Sequence, residues 1–323
     1  MDPFIKINNL TKDFYGRGFL NRHKIAVRAV DRVSFDIHRN TIFGLVGESG
    51  CGKTTLVRSI LYLDPPTSGE IRVDGTLLAT LSSHQLRSLR KRMQIVFQDP
   101  NSALNPKMRI DDSLAEGLVN RGIQAAERNK RIIHLLDLVG IAAAHRSRFP
   151  HEFSGGQKQR IVIARALCME PDFLVLDEPV SNLDVSIQAQ IINLLLDIKK
   201  ELALTYLFIS HDLNLVVYFS DRLGVMYQGR LVELASAEEI MSYPCHPYTK
   251  KLFSSVPGNQ AVIEEDDTAD PESSKRRKAT IYAACCPYAD DCPIGDRKCT
   301  EDEPVLEEIR EGHRVACFRV SET

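Results

Sequence analysis

The chain has 323 residues and a formal net charge of −2, with 43% hydrophobic and 26% charged residues, as in a globular protein of one large or two modest domains. Because the net charge is close to zero, overall charge gives no indication of nucleic-acid binding. No apolar stretch is long enough to span a bilayer, and the first residues lack the features of a secretory signal, so we expect a cytoplasmic protein.

The first predicted elements are strands. Residues 4–12 alternate in part between apolar and polar types and predict an edge strand, residues 27–37 predict a second strand, and the apolar run at 41–46 predicts a short buried third strand. Phe14 follows the first strand. From chemistry alone, Phe14 is a packing residue at a strand end rather than a surface for base stacking.

A phosphate-binding loop follows the third strand. Residues 47–54 fit G-x-x-x-x-G-K-[ST], and the apolar spacing over 55–63 predicts a helix with Leu56, Ile60 and Leu63 on one side. Backbone N–H groups of such a loop form an anion nest, and the helix N-terminus adds partial positive charge. Lys53 would reach the outer phosphates and Thr54 would ligate Mg²⁺. The predicted nucleotide contacts here are Gly47, Glu48, Ser49, Gly50, Cys51, Gly52, Lys53, Thr54 and Thr55.

The middle of the chain predicts one strand ending at a glutamine and then a helical region. Residues 94–97 read as a strand that ends in Gln98, and apolar residues at helical spacing over 110–143 predict a helical insertion. The sequence Phe-Ser-Gly-Gly-Gln at 153–157 then precedes a helix predicted over 158–169. Ser154 and the two glycines after it predict either a second anion site or an ordinary capped helix.

The most informative strand is predicted at residues 173–178. Four consecutive apolar residues indicate a strand buried on both faces of a parallel sheet, and the strand ends in Asp177 and Glu178. Open α/β sheets place their chemistry at such strand ends. Asp177 would hold Mg²⁺, and Glu178 would orient the attacking water. A helix over 186–202 and a second buried strand at 206–209 follow, and this strand ends beside His211.

The last forty residues contain a cysteine cluster. A hairpin at 223–234 and helices to about residue 256 precede an acidic and then basic linker at 258–280. In a cytosolic chain, crowded cysteines indicate metal binding more than disulfides. Zinc and free cysteines remain alternatives. Residues including Tyr288, Val305, Ile309 and Val315 predict a small apolar core for this tail. The crowded cysteines are Cys285, Cys286, Cys292, Cys299 and Cys317.

These motifs, in this order, resemble those of the ATPase subunits of ABC transporters over residues 4–256. In that family the loop at 47–54 binds ATP with Mg²⁺, the glutamine matched by Gln98 contacts Mg²⁺, and the aromatic matched by Phe14 stacks on adenine. Residues 181–184 resemble the D-loop and His211 resembles the switch histidine. Phe153 and Asn182 depart from the family pattern without removing a phosphate-contacting group. The signature motif is matched by Ser154, Gly155, Gly156 and Gln157.

The segments at 98–106, 246–248 and 286–317 narrow the resemblance to the oligopeptide, dipeptide and nickel importers, and residues 93–100 resemble their second ATPase type. The resemblance implies a P-loop α/β fold with a mixed sheet, an antiparallel β subdomain and a helical subdomain at about 99–168. It places the ATPase domain at 1–257 and a cysteine-rich extension at 281–323. In this subfamily four cysteines hold a [4Fe–4S] cluster. They are matched here by Cys286, Cys292, Cys299 and Cys317, with Cys285 as a possible substitute.

The resemblance also implies partners and a location. We expect a second homologous ATPase, two transmembrane permease subunits, an extracytoplasmic solute-binding protein, no nucleic acid, and a position on the cytoplasmic face of the membrane. Peptides are the expected cargo, with nickel complexes, sugars and other small solutes as alternatives. A soluble ABC ATPase of DNA repair or translation would carry a long coiled-coil insertion or a second cassette, and neither is present in the sequence.

Overall fold

The computed structural model describes residues 2–16, 24–254 and 285–320, with backbone alone at 24–26. The linker predicted at 258–280 lies outside these residues. No helix in the described ranges is long and apolar enough to cross a membrane. The strands are β1 Ile5–Gly16, β2 Lys24–Ile37, β3 Ile42–Val46, β4 Ser68–Val73, β5 Thr76–Leu77, β6 Met93–Val96, β7 Phe173–Asp177, β8 Thr205–Ile209, β9 Arg222–Tyr227, β10 Arg230–Ser236, β11 Glu307–Arg310 and β12 His313–Val315. The helices are α1 Lys53–Ile60, α2 Ser83–Lys91, α3 Pro100–Ala103, α4 Ile110–Asn120, α5 Ala125–Leu138, α6 Gly155–Leu167, α7 Val185–Leu202, α8 Leu213–Phe219, α9 Ala237–Ser242, α10 Pro247–Ser254 and α11 Arg297–Glu301.

The chain packs into two compact units. The first contains the residues up to Phe4, Ile37–Phe43 and Leu77–Ser210. The second contains Ile5–Asp36, Gly44–Thr76 and the chain from His211 onward. The domain boundaries predicted from the sequence, at 257 and 281, stay a prediction.

The first unit is built on a parallel sheet. Strand β7 pairs in parallel with β6 on one side and with β8 on the other, so that Phe173 lies opposite both Met93 and Thr205. The four apolar residues of β7 are fully buried. The strand predicted from the apolar run at 173–178 is therefore confirmed, because only a strand covered on both faces buries successive side chains.

The helices of the first unit confirm the helical insertion and change the start of one helix. Helices α4 and α5 occupy the predicted 110–143 region, with a break between Asn120 and Ala125. Helix α6 begins at Gly155, three residues before the predicted start at Lys158. The reason is a capping box, in which the Ser154 hydroxyl accepts the N–H of Gln157 and the Gln157 side chain accepts the N–H of Ser154.

The second unit contains the N-terminal strand, and the edge position predicted for this strand is wrong. Strand β1 lies between β2 and β4 in the sheet order and pairs with β4 in antiparallel register, Ile5 opposite Val73. Ile7 and Leu10 of β1 are buried. Alternation reports which face of a strand is covered, but it carries no information on the number of neighbouring strands.

A hairpin of β9 and β10 is confirmed, and the C-terminal extension enlarges it. Strand β12 pairs antiparallel with β10, with Glu233 opposite Val315, and β11 pairs with β12.

Helix α1 ends at Ile60, earlier than the predicted Leu63. Tyr62 has a φ of 55° and turns the chain out of the helix, and Leu63 is 49% exposed instead of lying with Leu56 on the buried side.

Candidate nucleotide site and cysteine cluster

The loop between β3 and α1 has a backbone that only glycine tolerates at its two ends. Gly47 has a φ of 151°, and a Cβ atom there would lie 2.1 Å from the carbonyl oxygen of Met226. Gly52 has a φ of 109°, and its Cβ would lie 2.1 Å from the carbonyl oxygen of Ala29. The glycines of the motif therefore allow the loop to lie directly on neighbouring backbone.

Lys53 closes this loop from the inside. Its Nζ donates to the carbonyl oxygens of Gly47 at 2.7 Å and Glu48 at 2.8 Å, and the side chain is 7% exposed. Helix α1 starts at Lys53 and has no acidic residue in its first turn. The other predicted contacts of the loop differ in burial. Glu48, Ser49, Gly50 and Thr54 are exposed, Gly52 and Thr55 are partly buried, and Cys51 is buried.

These features suit an anion with several oxygens. A helix N-terminus and a lysine supply positive potential, and no carboxylate in the first helical turn opposes it. Burial raises the pKa of the Cys51 thiol, whose sulfur lies 3.7 Å from the Lys53 Nζ, so the thiol adds no negative charge. The loop therefore fits a polyphosphate.

Two aromatic residues at the end of β1 expose their rings. Phe14 is 42% exposed and Tyr15 is 50% exposed, and the Lys12 Nζ lies 5.5 Å from the centroid of the Phe14 ring. A packing role for Phe14, the interpretation from chemistry alone, would require a buried ring. An exposed ring at this strand end is instead suited to stacking.

Asp177 and Glu178 follow one another at the end of β7, both partly buried. Glu178 leaves the strand with a φ of 50°, and its N–H donates to the carbonyl oxygen of Ile209 at 2.9 Å. The Glu178 carbonyl oxygen accepts the hydroxyl of Ser181 at 3.1 Å. The chain thus turns sharply at the second carboxylate. His211 follows the next strand and is exposed.

A cavity of about 160 Å³ in the first unit brings three of the predicted motifs together. Gln98, Gly155 and the D-loop residue Asn182 all line it. The Asn182 amide nitrogen lies 3.5 Å from the Gln98 carbonyl oxygen, and the Gln98 side chain is exposed. The Ser154 hydroxyl accepts the N–H of Gln157, so residues 154–157 also form an ordinary capped helix start.

Four cysteines of the extension act on one another electrostatically. The pKa of Cys286 is raised to about 11, first by burial and also by the charges of Cys299, Cys317 and Cys292. Burial, followed by neighbouring cysteines, also raises the pKa of Cys292 and Cys317. The N–H of Cys286 donates to the Cys299 carbonyl oxygen at 2.9 Å. The thiols of Cys286, Cys292, Cys299 and Cys317 therefore share one environment, while the Cys285 carbonyl oxygen accepts from Arg230 at 2.9 Å.

The spacing of the four sulfur atoms bears on which metal they fit. A tetrahedral zinc site with Zn–S bonds of about 2.3 Å brings its sulfurs to about 3.8 Å from one another. Within the described ranges, no three of these sulfurs lie within 4.8 Å of one another. A cluster with one cysteine on each of four irons holds its sulfurs further apart. Within the described residues, this spacing is wider than a single zinc ion requires.

The apolar core predicted for the tail is correct only in part. Tyr288 and Val315 are 3% and 2% exposed, but Val305 is 69% and Ile309 is 37% exposed. Strand β11, which contains Ile309, has every residue exposed. Buried Cys286 and Cys299 take the place of these apolar side chains. A core this small is consistent with a segment stapled by a metal.

A buried ion pair in the second unit has no counterpart in the sequence predictions. The Nε2 of His313 lies 2.8 Å from Glu233 Oε1, and both side chains are fully buried. Glu233 also accepts the N–H groups of Cys245 at 2.8 Å and His246 at 2.9 Å. The motif of the C-terminal extension includes His313, but no local sequence pattern pairs His313 with Glu233, which lies 80 positions earlier.

The protonation of His313 argues against a metal at this cluster. Burial alone would lower the pKa of His313, but hydrogen bonds to Cys245 and Glu233 raise it to about 10. At neutral pH the ring is therefore a cation, with Nε2 donating to Glu233 and Nδ1 lying 3.4 Å from Glu239. Glu233, Cys245 and His313 lie within 4.8 Å of one another, yet an imidazolium offers no lone pair to a metal.

Comparison with known proteins places the chain among transport ATPases. The ABC transporter family profile matches residues 30–181, and the profile of the oligopeptide/dipeptide transporter C-terminal region matches residues 232–299. A peptide import ATP-binding protein of Brucella ovis is 45% identical over 98% of both chains. The oligopeptide transport ATP-binding protein OppF of Bacillus subtilis is 52% identical over 90% of both chains.

Solved structures agree with this relationship. The structure of cbiO1 from Clostridium perfringens, part of an ABC transporter complex, matches with a TM-score of 0.66 and 29% identity over 75% of this chain and 92% of its own. The ATP-binding cassette MJ0796, a dimer bound to ADP and phosphate, matches with a TM-score of 0.63 and 28% identity over 72% and 98%. The chain therefore has the P-loop ABC ATPase fold and belongs to the family of ABC transporter ATP-binding subunits of oligopeptide and dipeptide import.

Proposed function

We propose that this chain is the ATP-hydrolysing subunit of an importer of dipeptides or oligopeptides, attached peripherally to the cytoplasmic face of the membrane. The observation that carries the proposal is the glycine loop with Lys53 folded onto its carbonyls, in a chain that matches peptide-transport ATP-binding proteins at 45–52% identity over most of its length. Nickel complexes, sugars or other small solutes are the alternative cargo.

The roles proposed for the site residues follow their chemistry. The loop from Gly47 to Thr55 binds the phosphates, with Lys53 neutralising charge on the outer ones. Thr54, Gln98 and Asp177 would hold Mg²⁺, which polarises the phosphate oxygens when bound. Phe14 stacks on the adenine, with Tyr15 as the second choice.

Glu178 is the proposed residue that orients the attacking water, and His211 is proposed to sense the terminal phosphate. Both are close in sequence to the ends of buried strands, where the sheet fixes their backbone. The carboxylate of Glu178 can accept a proton as water attacks, which gives it the role of general base.

The nucleotide site is proposed to be shared between two ATPase subunits. Ser154, Gly155, Gly156 and Gln157 would complete the site of the partner subunit, and the partner's equivalent segment would complete this one. The dimeric ADP- and phosphate-bound cassette to which this chain is similar supports such pairing. The backbone N–H groups at the start of α6 and the dipole of this helix suit contact with a phosphate.

The proposed partner is a different but homologous ATPase, so that the pair is a heterodimer. The resemblance of residues 93–100 to the second ATPase type of these importers supports that type for this chain. Two permease subunits and an extracytoplasmic solute-binding protein would complete the complex. We further propose an ATPase domain at 1–257, with a helical subdomain at about 99–168, a linker at 258–280 and a cysteine-rich extension at 281–323.

Uptake of a labelled tripeptide by cells that carry Lys53→Ala tests the proposed function. We expect uptake to fall to background, because the loop loses its phosphate-neutralising cation. The matched variant Lys200→Ala removes an exposed lysine from α7 and keeps full uptake. If cells that carry Lys53→Ala take up the tripeptide normally but lose uptake of nickel or of a sugar, then that solute and not a peptide is the cargo.

The four cysteines Cys286, Cys292, Cys299 and Cys317 are proposed to hold a [4Fe–4S] cluster. The support for this assignment is the four-cysteine motif of the extension and the influence of its thiols on one another's pKa. Cys286 is the proposed ligand rather than Cys285, because the Cys286 thiol interacts with the other three. When bound, the cluster would fasten four separate positions of a segment too small to fold on its own.

Metal analysis of the anaerobically purified chain tests the cluster. We expect about four irons and four acid-labile sulfides per chain, lost in Cys299→Ser and retained in Cys168→Ser. Both cysteines are buried, but Cys168 lies at the end of α6, outside the cluster. Stoichiometric zinc without iron would overturn this assignment.

A further inference from the structure

One peptide group of the phosphate loop is held at both of its ends. The group joins Gly47 to Glu48. Its carbonyl oxygen accepts from the Lys53 Nζ at 2.7 Å, and its N–H donates to the hydroxyl oxygen of Tyr248 at 3.1 Å. Rotation of this peptide would break both hydrogen bonds, so the Tyr248 hydroxyl fixes the orientation of the carbonyl on which Lys53 rests.

Tyr248 is itself held rigidly. It lies on α10, 200 residues from the loop in sequence, and is 1% exposed. The two residues before Pro247 are anchored, because the N–H groups of Cys245 and His246 both donate to the buried carboxylate of Glu233. The N–H of Tyr248 donates to His246 Nδ1 at 3.1 Å. The phenol is thus placed by fixed backbone and not by a mobile side chain.

The remaining sides of the Tyr248 ring meet two other tyrosines. The ring centroids of Tyr227 and Tyr248 are 4.5 Å apart, and those of Tyr248 and Tyr288 are 5.5 Å apart. Tyr227 and Tyr288 meet edge to face at 5.2 Å, and the Tyr227 hydroxyl donates to Asp291 at 3.2 Å. Tyr288 and Asp291 belong to the extension and lie between Cys286 and Cys292 in sequence.

The extension is also fastened to the second unit away from these rings. Arg230 donates to the Cys285 carbonyl oxygen at 2.9 Å and lies 3.1 Å from Glu303. The His313–Glu233 pair makes a further attachment. The extension therefore has a defined position, and Tyr288 transmits that position to the ring whose hydroxyl caps the phosphate loop.

We propose that Tyr248 is a positioning residue for the phosphate loop, and that the cysteine-rich extension sets its position through Tyr288. The hydroxyl keeps the Gly47–Glu48 peptide in the orientation that holds Lys53 ready for phosphate. Tyr248 contacts the loop and not the nucleotide. This inference rests on the proposed nucleotide site, and it assigns the extension a part in ATP affinity.

Tyr248→Phe tests the first half of the proposal, because it removes the hydroxyl and keeps the ring. We expect the Kd for MgATP and the KM for hydrolysis to rise about five-fold, the effect of one lost hydrogen bond, with kcat within about two-fold of the original. Binding is measured calorimetrically on the full chain and hydrolysis by phosphate release. The fold is checked by circular dichroism.

Tyr206→Phe is the matched control. Tyr206 is fully buried on β8, and its hydroxyl donates to the Leu195 carbonyl oxygen at 3.0 Å, so the variant also loses one hydrogen bond of a buried phenol. We expect it to keep the original Kd even where its stability falls. A Kd in Tyr248→Phe that matches the original protein, or that rises equally in Tyr206→Phe, overturns the positioning role.

A pair of Tyr288 variants tests the second half. Tyr288→Phe keeps the ring against Tyr248, and we expect an unchanged Kd. Tyr288→Leu removes the aromatic contact, and we expect the Kd for MgATP to rise about two- to three-fold. A folded Tyr288→Leu protein with the original Kd overturns the role of the extension. If the original protein and Lys53→Ala both fail to bind MgATP, the proposed function fails instead.

Discussion

Replacement of Glu178 by glutamine is expected to lower ATP hydrolysis by about 10²–10⁴-fold and to leave ATP binding intact. The amide has the shape of the carboxylate but cannot accept a proton from the attacking water. The backbone supports the same side-chain placement, since the N–H of residue 178 keeps its bond to the Ile209 carbonyl oxygen at 2.9 Å. Phosphate release measures hydrolysis, and equilibrium binding of MgATP measures affinity on the same preparation.

The control for this prediction is Glu201→Gln. Glu201 is an exposed glutamate near the end of α7, so the variant makes the same chemical change on a solvated helix face. We expect hydrolysis in this variant to equal that of the original protein. Unimpaired hydrolysis in Glu178→Gln would show that Glu178 is not the general base. Loss of ATP binding in that variant would show that the carboxylate acts on affinity and not on the chemical step.

Local patterns in the sequence predicted the elements around the site well. The run of apolar residues before Asp177 predicted a strand covered on both faces, and the glycine motif predicted a loop between a strand and a helix, as the structure has them. Each of these signals is complete within about ten residues. The structure agrees because burial and backbone conformation at these positions follow from the neighbouring residues.

The errors occurred where the deciding contact is distant in sequence. Strand β1 was expected at a sheet edge, but its second neighbour, β4, begins more than fifty residues after the end of the predicted strand. Leu63 was placed on the buried side of α1, but Tyr62 takes a left-handed conformation and ends the helix before it. In the extension, Val305 and Ile309 have the hydrophobicity of core residues, yet no described part of the chain covers them.

The same distance effect hid the connection between the extension and the phosphate loop. Tyr248 lies 200 residues from Glu48, and Glu233 lies 80 residues from His313. Neither pair has a periodic or spacing signal, because the first depends on where α10 places Tyr248 against the loop and the second on the pairing of β12 with β10. The sequence does contain one end of each contact in a subfamily segment, Tyr248 within 246–248 and His313 within 286–317. Their roles became visible only through the geometry.

Glu233→Ala should lower the free energy of unfolding by about 3–5 kcal/mol, the usual cost of removing one partner from a buried ion pair. His313 would keep a buried charge without its main acceptor, and the N–H groups of Cys245 and His246 would lose theirs. Urea unfolding of the full chain measures the change. Glu239→Ala removes the second, partly exposed acceptor of His313 at 3.4 Å and should cost about 1 kcal/mol or less.

We expect the stability of the fold to depend on pH through the protonation of His313. Its pKa in the folded protein is raised to about 10, while the unfolded value is about 6.5. The stability that this cation contributes is therefore fully present below about pH 6.5 and is lost as the pH rises through 10. We expect unfolding free energy in the original protein to fall over that range, and Glu233→Ala to flatten the fall because the imidazolium has already lost its partner. Equal falls in both proteins would mean that another group titrates, and that the pair does not fasten β12 to β10 as a charged contact.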